Sequence, residues 1–383
     1  MLAGLQVLDC TGRLGWLAGR LLADMGAEVC KVEAPDADLS PAEWRALNVN
    51  KRLLRLDLAG AGAAQVLDRL VLPLDILIAT PHCGGAGDEL FDFDRLARLN
   101  PRLILVAITP FGLAGPKAHW RATDLEIMAA AGAMSLAGEP GAEPMRVSAP
   151  QSGAWAGAQA AVGALTALAA RAHIGRGQIV DVSAQSAVIT ALAHAPTFVD
   201  IAGTTPTRAG AFITGRSVSG ARYRVFWPCR DGHINFILYG GAAGRRTNEQ
   251  LLAWMHDSGA DAGALAAIDW STFDPARASQ AEVDAIEAPI ARFLATLSKR
   301  EFLDGAHRRE MLGYPVSTVQ DIAADPQLHA RGFWQDIRTT DGRSERHCGA
   351  FFRLDGQRPV LRAAPAAASQ AMCSEAHRER SRA

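Results

Sequence analysis

The sequence predicts an α/β protein built around a parallel sheet. Three observations lead there. Short apolar runs recur along the first half of the chain, and helical spacing separates them. Turn residues bound those runs. Finally, 49% of residues are hydrophobic and only 21% charged, enough apolar side chain for a large core and too little charge for disorder.

The elements follow in order. Residues 5–9 read as a strand and 18–25 as a helix, then 28–32 and 53–58 as strands. Residues 65–70 look helical, and 74–79 and 103–108 are β-branched-rich apolar runs. Strands alternating with helices imply parallel pairing. Residues 124–136 and 153–172 have a helical pattern dense in Ala and Gly, which predicts close helix packing in the interior. Gly175-Arg176-Gly177-Gln178 turns into a strand at 179–183. Residues 203–220, rich in Gly, Thr and Ser, are expected to be a linker or mobile loop. Segments 223–228 and 233–238 flank Arg230-Asp231-Gly232, a hairpin signal. Helical patterns run to about Leu312, residues 315–319 read as extended, and the tail after Ala363 is expected to fray.

Charge and motifs narrow the function. With 39 Lys and Arg against 40 Asp and Glu, the net charge of −1 argues against a nucleic-acid partner. The Ala-rich stretch 154–172 is the nearest approach to a membrane span, and its Gln159 and small residues suit a buried helix better. The start lacks a basic and then apolar leader, so a cytoplasmic protein is expected. Six scattered cysteines and ten dispersed histidines show no C-x-x-C, no H-E-x-x-H and no zinc spacing, so no metal is expected.

Three segments leave alternatives open. Cys10 to Gly19 holds three glycines near a helix start, with Glu33 about 20 residues on, yet the spacing is not G-x-G-x-x-G. Asn48-Val49-Asn50-Lys51-Arg52 groups two cations and two amides before a strand, suited to a phosphate or to a solvated loop. Tyr239-Gly240-Gly241-Ala242-Ala243-Gly244 suits close backbone approach to a ligand, or a surface turn.

Several segments together resemble the class III CoA-transferase family, the group of formyl-CoA transferase, carnitine CoA-transferase and α-methylacyl-CoA racemase. They are Gly4-Leu5-Gln6-Val7-Leu8-Asp9, the run from Leu21 to Glu33, Asn50-Lys51-Arg52 with Leu56-Asp57-Leu58, and Asn100-Pro101-Arg102. Phe111-Gly112 with Gly115-Pro116, and Gly175 to Gln178 with Asp181-Val182-Ser183, continue in order. Tyr314-Pro315-Val316 and Asp325-Pro326-Gln327-Leu328 with Ala330 to Phe333 complete a match over about residues 3–355. Ile268-Asp269-Trp270 and the run from Met311 to Ser317 are similar to benzylsuccinate CoA-transferase subunits.

The resemblance implies a large Rossmann-like domain over 1–205, a linker at 206–222, a small α+β domain at 223–325, and a segment 326–383 returning to the large domain. It also implies an interlocked dimer, and CoA and acyl-CoA as substrates with no prosthetic group. In the family an Asp carboxylate attacks the acyl-CoA thioester to give an enzyme-bound anhydride and free CoA. CoA then attacks the aspartyl carbonyl, releasing the acid and leaving an aspartyl-CoA thioester that conserves group-transfer potential. Its segment aligns with Val147 to Gly157, and Gly153 stands at the nucleophile's position. Thr123 precedes Asp124 where the racemases carry a His, which disfavours racemisation.

The family's CoA-facing N-F-R-P-G-like segment has become Thr80-Pro81-His82-Cys83-Gly84, and Ala34 stands where some members carry a cation. Asn50, Lys51 and Arg52 remain as CoA-binding candidates, and Gly240, Gly241 and Gly244 as an active-site lid. The expectation is an Asp-lacking subunit of a heteromeric transferase, moving CoA from succinyl-CoA to a substituted succinate or related acid, with a paralogous subunit supplying the Asp. The alternatives are a homodimer using another acid, Asp124 or Glu126 being nearest, and a non-catalytic CoA-binding scaffold. Arg216, Arg222 and Arg224 lie in a segment that could approach a substrate carboxylate.

Overall fold

In the computed structural model the early apolar runs become parallel strands. It describes residues 1–81, 88–214, 220–339, 342–362 and 366–367. His82, Cys83, Gly84 and Arg216, singled out above, lie outside them, as does most of the tail after Ala363.

In chain order the first elements are β1 (Gln6–Cys10), α1 (Trp16–Asp24), β2 (Glu28–Glu33), α2 (Ala42–Asn48), β3 (Arg52–Arg55), α3 (Ala63–Val71) and β4 (Ile76–Ala79). Then come α4 (Phe93–Leu99), β5 (Ile104–Thr109), α5 (Asp124–Ala130), α6 (Ser152–Ile174), β6 (Ile179–Ser183), α7 (Ala184–Ala191) and α8 (His194–Ala202). β7 (Phe212–Thr214), β8 (Arg222–Arg224), β9 (Phe226–Cys229), β10 (Gly232–Asn235), α9 (Gly241–Asp257), α10 (Gln280–Ala295), α11 (Lys299–Arg308) and β11 (Tyr314–Pro315) follow. β12 (Trp334–Arg338), β13 (Ser344–Cys348) and β14 (Ala366–Ala367) come last.

Contacts divide the chain into two units. The first takes Met1–Ala133, Val147–Leu192 and the chain from Asp325 on; the second takes Met134–Arg146 and Ala193–Ala324. The segment expected as a linker, 206–222, therefore belongs to the second unit. Two features draw it there. Gly210 N donates to Gly138 O at 3.0 Å, and β7 pairs with β8, whose Tyr223 is buried in the second core. Residues 193–205, expected in the large domain, also join the second unit, and α8 has no buried residue.

In the first unit a parallel sheet runs β14-β3-β2-β1-β4-β5-β6. Its central strands β4 and β5 are buried throughout, as a parallel sheet covered on both faces requires. One face packs Val7, Val29, Ile76, Ile78, Val106 and Ile108 against α1 and α6. The other packs Leu8, Leu77 and Leu105 against Leu67, Leu70 and Leu96 of α3 and α4.

Helix α6 is the one described helix long and apolar enough to cross a membrane, by length and composition. Its Ala156, Ala160, Ala164 and Ala167 are nevertheless buried in the first core. A Cβ on Gly157 would lie 2.8 Å from Leu17 Cβ and 3.0 Å from Ala18 N, so only glycine lets α6 approach α1 this closely.

The second unit has its own core, centred on Trp227, Tyr223, Phe236, Met255, Ile290 and Phe302. The expected hairpin forms, with Gly232 opposite Cys229 and Ile234 opposite Trp227. α10 and α11 each begin with a capping box, Ser279 with Glu282 and Ser298 with Glu301.

Candidate functional site

An open parallel sheet binds ligands outside the carboxyl ends of its strands, where the strand order reverses. Here that point lies between β1 and β4, because the chain winds from β1 to β3 one way and from β4 to β6 the other. The loop after β1, Thr11 to Gly15, and Thr80 and Pro81 after β4 therefore form the candidate edge.

A buried charge network fixes the loop after β1. Asp9 Oδ1 accepts from Thr11 N at 3.0 Å and from Thr11 Oγ1 at 2.7 Å. Its Oδ2 accepts from Lys51 Nζ at 2.8 Å, with both side chains fully buried. Lys31 Nζ donates to Thr11 O and Val32 O, each at 2.7 Å, and pairs with Glu33 at 3.2 Å. Burial alone would raise the Asp9 carboxyl, but the Lys51 and Lys31 ammonium groups outweigh it and hold Asp9 below the usual range. Burial pushes Lys51 down to about 8 against the pull of Asp9, so the pair stays ionised at neutral pH.

This network corrects the phosphate-binding expectation for Lys51, and Asn50 and Arg52 have partners of their own. An ammonium has three donors, and Lys51 spends them on Asp9 Oδ2, Trp16 O and Asn48 Oδ1. Asn50 donates to Asp24 Oδ1 at 2.8 Å and accepts from Arg362 N at 2.6 Å. Arg52 pairs with Glu28 at 3.2 Å, at the start of β3 and hence at the amino edge of the sheet. The segment is not a solvated loop, because Asn48, Val49 and Lys51 are buried.

Helix α6 meets the same loop. A Cβ placed on Gly153 would lie 3.1 Å from Arg13 O and 3.5 Å from Leu14 O. A side chain there would have to shift its neighbours by a few tenths of an ångström, and a carboxylate would enter beside two carbonyl oxygens. The nearest acids are already engaged. Asp124 Oδ1 accepts from Gln151 N at 2.7 Å, Ser152 N at 2.7 Å and Ser152 Oγ at 2.9 Å, satisfying donors at the start of α6. Glu126 closes a capping box with Thr123 at the start of α5. Both alternative nucleophiles are therefore helix-capping groups.

The glycine run corrects another expectation. Gly240 is the N-cap of α9, and Gly241 to Gly244 are its first turn rather than a loop. Cβ atoms on Gly240 and Gly244 would strike Pro275 Cδ at 2.5 Å and Tyr239 O at 2.3 Å, so packing requires these two glycines. Gly241 has φ +74° with open space around it, so its backbone conformation is what favours glycine. Its helix start borders a cavity of about 510 Å³ within the second unit, walled by Ile213, Tyr223, Ile237, Leu238, Tyr239 and Phe273.

Sequence reasoning missed four residues at the candidate edge. Thr80 Oγ1 and Trp16 Nε1 are buried with no hydrogen-bond partner among the described residues, which leaves two donors for a ligand. Lys117, in the loop following β5, lies 5.4 Å from the Phe111 ring centroid and 5.5 Å from that of Trp120, itself 57% exposed. Arg55, at the end of β3, donates to Ala34 O at 2.7 Å and Ala37 O at 3.0 Å, placing a guanidinium beside the position where Ala34 lacks one. Only the orphaned atoms were beyond reach of the sequence; the proximity of Lys117 to two aromatics is visible in it. Among the described residues no group of three or more His, Cys, Asp or Glu is placed to hold a metal ion.

Sheet topology and this edge define an open α/β protein with its candidate ligand edge at the switch point. A family model described as CoA-transferase family III matches residues 2–370. The chain belongs to that family and is a CoA-transferase. It is 30% identical over 354 residues to the succinyl-CoA:(R)-benzylsuccinate CoA-transferase subunit BbsE of Thauera aromatica, covering 86% of this chain and 82% of that one. It is 28% identical over 361 residues to a succinate–glutarate CoA-transferase of Agrobacterium fabrum, covering 89% and 86%. A solved CAIB/BAIF family protein from Brucella suis superposes with a TM-score of 0.79 at 25% identity, covering 99% of this chain and 98% of its own.

Proposed function

We propose that this chain is the Asp-lacking subunit of a heteromeric class III CoA-transferase. The paired subunit, a paralogue, supplies the aspartate that carries CoA from an acyl-CoA to a carboxylic acid. By likeness to the relatives above, the donor is succinyl-CoA and the acceptor a substituted succinate or related dicarboxylic acid. One observation carries the reading. Position 153 is glycine, its side-chain space faces the Arg13 and Leu14 carbonyls, and Asp124 and Glu126 are spent on helix starts. That arrangement weighs against the homodimer that uses a nearby acid. The acyl-CoA would lie at the carboxyl edge, with Thr80 and Trp16 as unused donors and Lys117 as a cation.

Co-expression with an Asp-bearing paralogue tests the proposal. The pair should co-purify and transfer CoA from succinyl-CoA to benzylsuccinate, while this chain alone should not. Hydroxylamine added during turnover should mark a carboxylate of the paralogue. Full-rate transfer by this chain alone, or a marked carboxylate within it, would sink the idea. Gly153→Asp in the isolated chain asks whether the lost residue is all that is missing. Its crowded position predicts no more than a trace of activity.

A further inference from the structure

The hairpin of β7 and β8 places two cations on one ring. Phe212 is opposite Arg224 in the antiparallel register. Side chains alternate along a strand, so Arg222 and Arg224 share the face that holds Phe212. The Arg222 guanidinium lies 4.5 Å from the Phe212 ring centroid and that of Arg224 lies 4.8 Å from it. Arg224 is also 5.6 Å from the Trp227 ring. Ile213 and Tyr223 point the other way, into the cavity beside α9.

Among the described residues neither guanidinium forms an ion pair or donates a hydrogen bond. Several other arginines of the unit are treated differently. Arg230, Arg245, Arg292 and Arg300 have Glu301, Glu249, Asp261 and Asp304 as partners. The Glu287 carboxyl interacts electrostatically with Arg224, and its Oε1 already accepts from Arg224 N at 2.7 Å. Burial pushes the Glu287 carboxyl up to about 7, so near neutrality it offsets Arg224 only part of the time. Two like charges held against one ring, with ten N–H donors between them and only the Glu287 carboxyl beside Arg224, are arranged for an oxyanion. Stacking on the ring holds the planar forks in place before a ligand arrives.

We propose that Arg222 and Arg224, stacked on Phe212, form a clamp for an oxyanion of the transferase substrates. Two sources share that chemistry, the distal carboxylate of a dicarboxylic acid and a phosphate of CoA. The clamp goes beyond the subunit reading and does not depend on which chain supplies the nucleophile.

Titration calorimetry on the purified full-length chain, and on any assembly it forms, tests the clamp with glutarate and with CoA as separate probes. At least one probe should bind, and its affinity should fall at least tenfold in both Arg222→Gln and Arg224→Gln. Arg→Lys at either position should recover part of the loss, because charge returns without the fork. Loss confined to glutarate assigns the clamp to a distal carboxylate, and loss confined to CoA assigns it to a phosphate. Arg230→Gln, a paired surface cation, should bind like the parent, and unchanged thermal melts establish that the variants fold. The proposal is overturned if neither probe binds, if folded clamp variants bind as the parent does, or if Arg230→Gln loses as much.

Discussion

Cations in the two units meet opposite fates. In the first, Lys51 sits inside, with each donor answered by Asp9, Trp16 or Asn48. In the second, the Arg222 and Arg224 guanidiniums lean on Phe212 and, among the described residues, form no ion pair and donate no hydrogen bond. A cation with all donors used holds a fold together, and one with donors unused is available to a ligand. Sequence places a positive residue at both locations, and only the count of satisfied donors separates their roles.

Breaking the buried pair should have the largest effect. Lys51→Ala leaves Asp9 charged in the core without its ion-pair partner, and is expected to cost about 3–5 kcal/mol in denaturant unfolding. The double variant Asp9→Leu/Lys51→Met should cost less than that single change, because neither member of the pair is left as a buried charge. A loss below about 1 kcal/mol for Lys51→Ala would mean that its donors are not structural.

Asp124 gives the next largest effect and sharpens the contrast between supporting and reacting groups. Asp124→Ala removes three hydrogen bonds at the start of α6 and should cost about 2 kcal/mol. Asp124→Asn keeps an acceptor oxygen and should recover most of that. If Asp124 were the nucleophile, Asn would abolish transfer while leaving stability intact, so activity of this variant in the assembled enzyme separates the two roles.

The smallest effect concerns Glu287, which faces the Arg224 backbone and guanidinium, Tyr223 and Asp284. Burial raises its carboxyl from 4.5 to about 7. Between those values the folded chain holds a proton that the unfolded chain has released, so stability falls as pH rises across the window. Glu287→Gln lacks this slope and keeps the acceptor for Arg224 N. It should gain about 1 kcal/mol over the parent between pH 4.5 and pH 7, after discounting for solvent near the group. Parallel stability curves over that range would show that Glu287 titrates normally.

Much of the fold was legible because it rests on local patterns. The apolar runs at 74–79 and 103–108 became β4 and β5, and the Ala-Gly helix became α6 packed on α1. Site roles were less legible because they rest on distant partners. Lys51 reads as a free cation until Asp9, 42 residues earlier, is seen to take it. Asp124 reads as a spare carboxylate until α6, which starts 28 residues later, is seen to use it. The run from Gly240 to Gly244 reads as a loop, since glycine is a poor helix former. Packing of Leu251, Trp254 and Met255 in the second core overrides that preference.

The first unit is also written in pieces along the chain. Arg20 donates to Cys348 O across 328 residues, Arg362 pairs with Glu28, and β14 adds its strand to β3. During synthesis, then, the edge at β3 waits open until Ala366 and Ala367 leave the ribosome. Unit two, contained between Met134 and Ala324, is complete earlier and can mature first. An unfinished parallel edge is a place where nascent chains pair wrongly, so truncation before residue 366 should harm solubility before it harms chemistry.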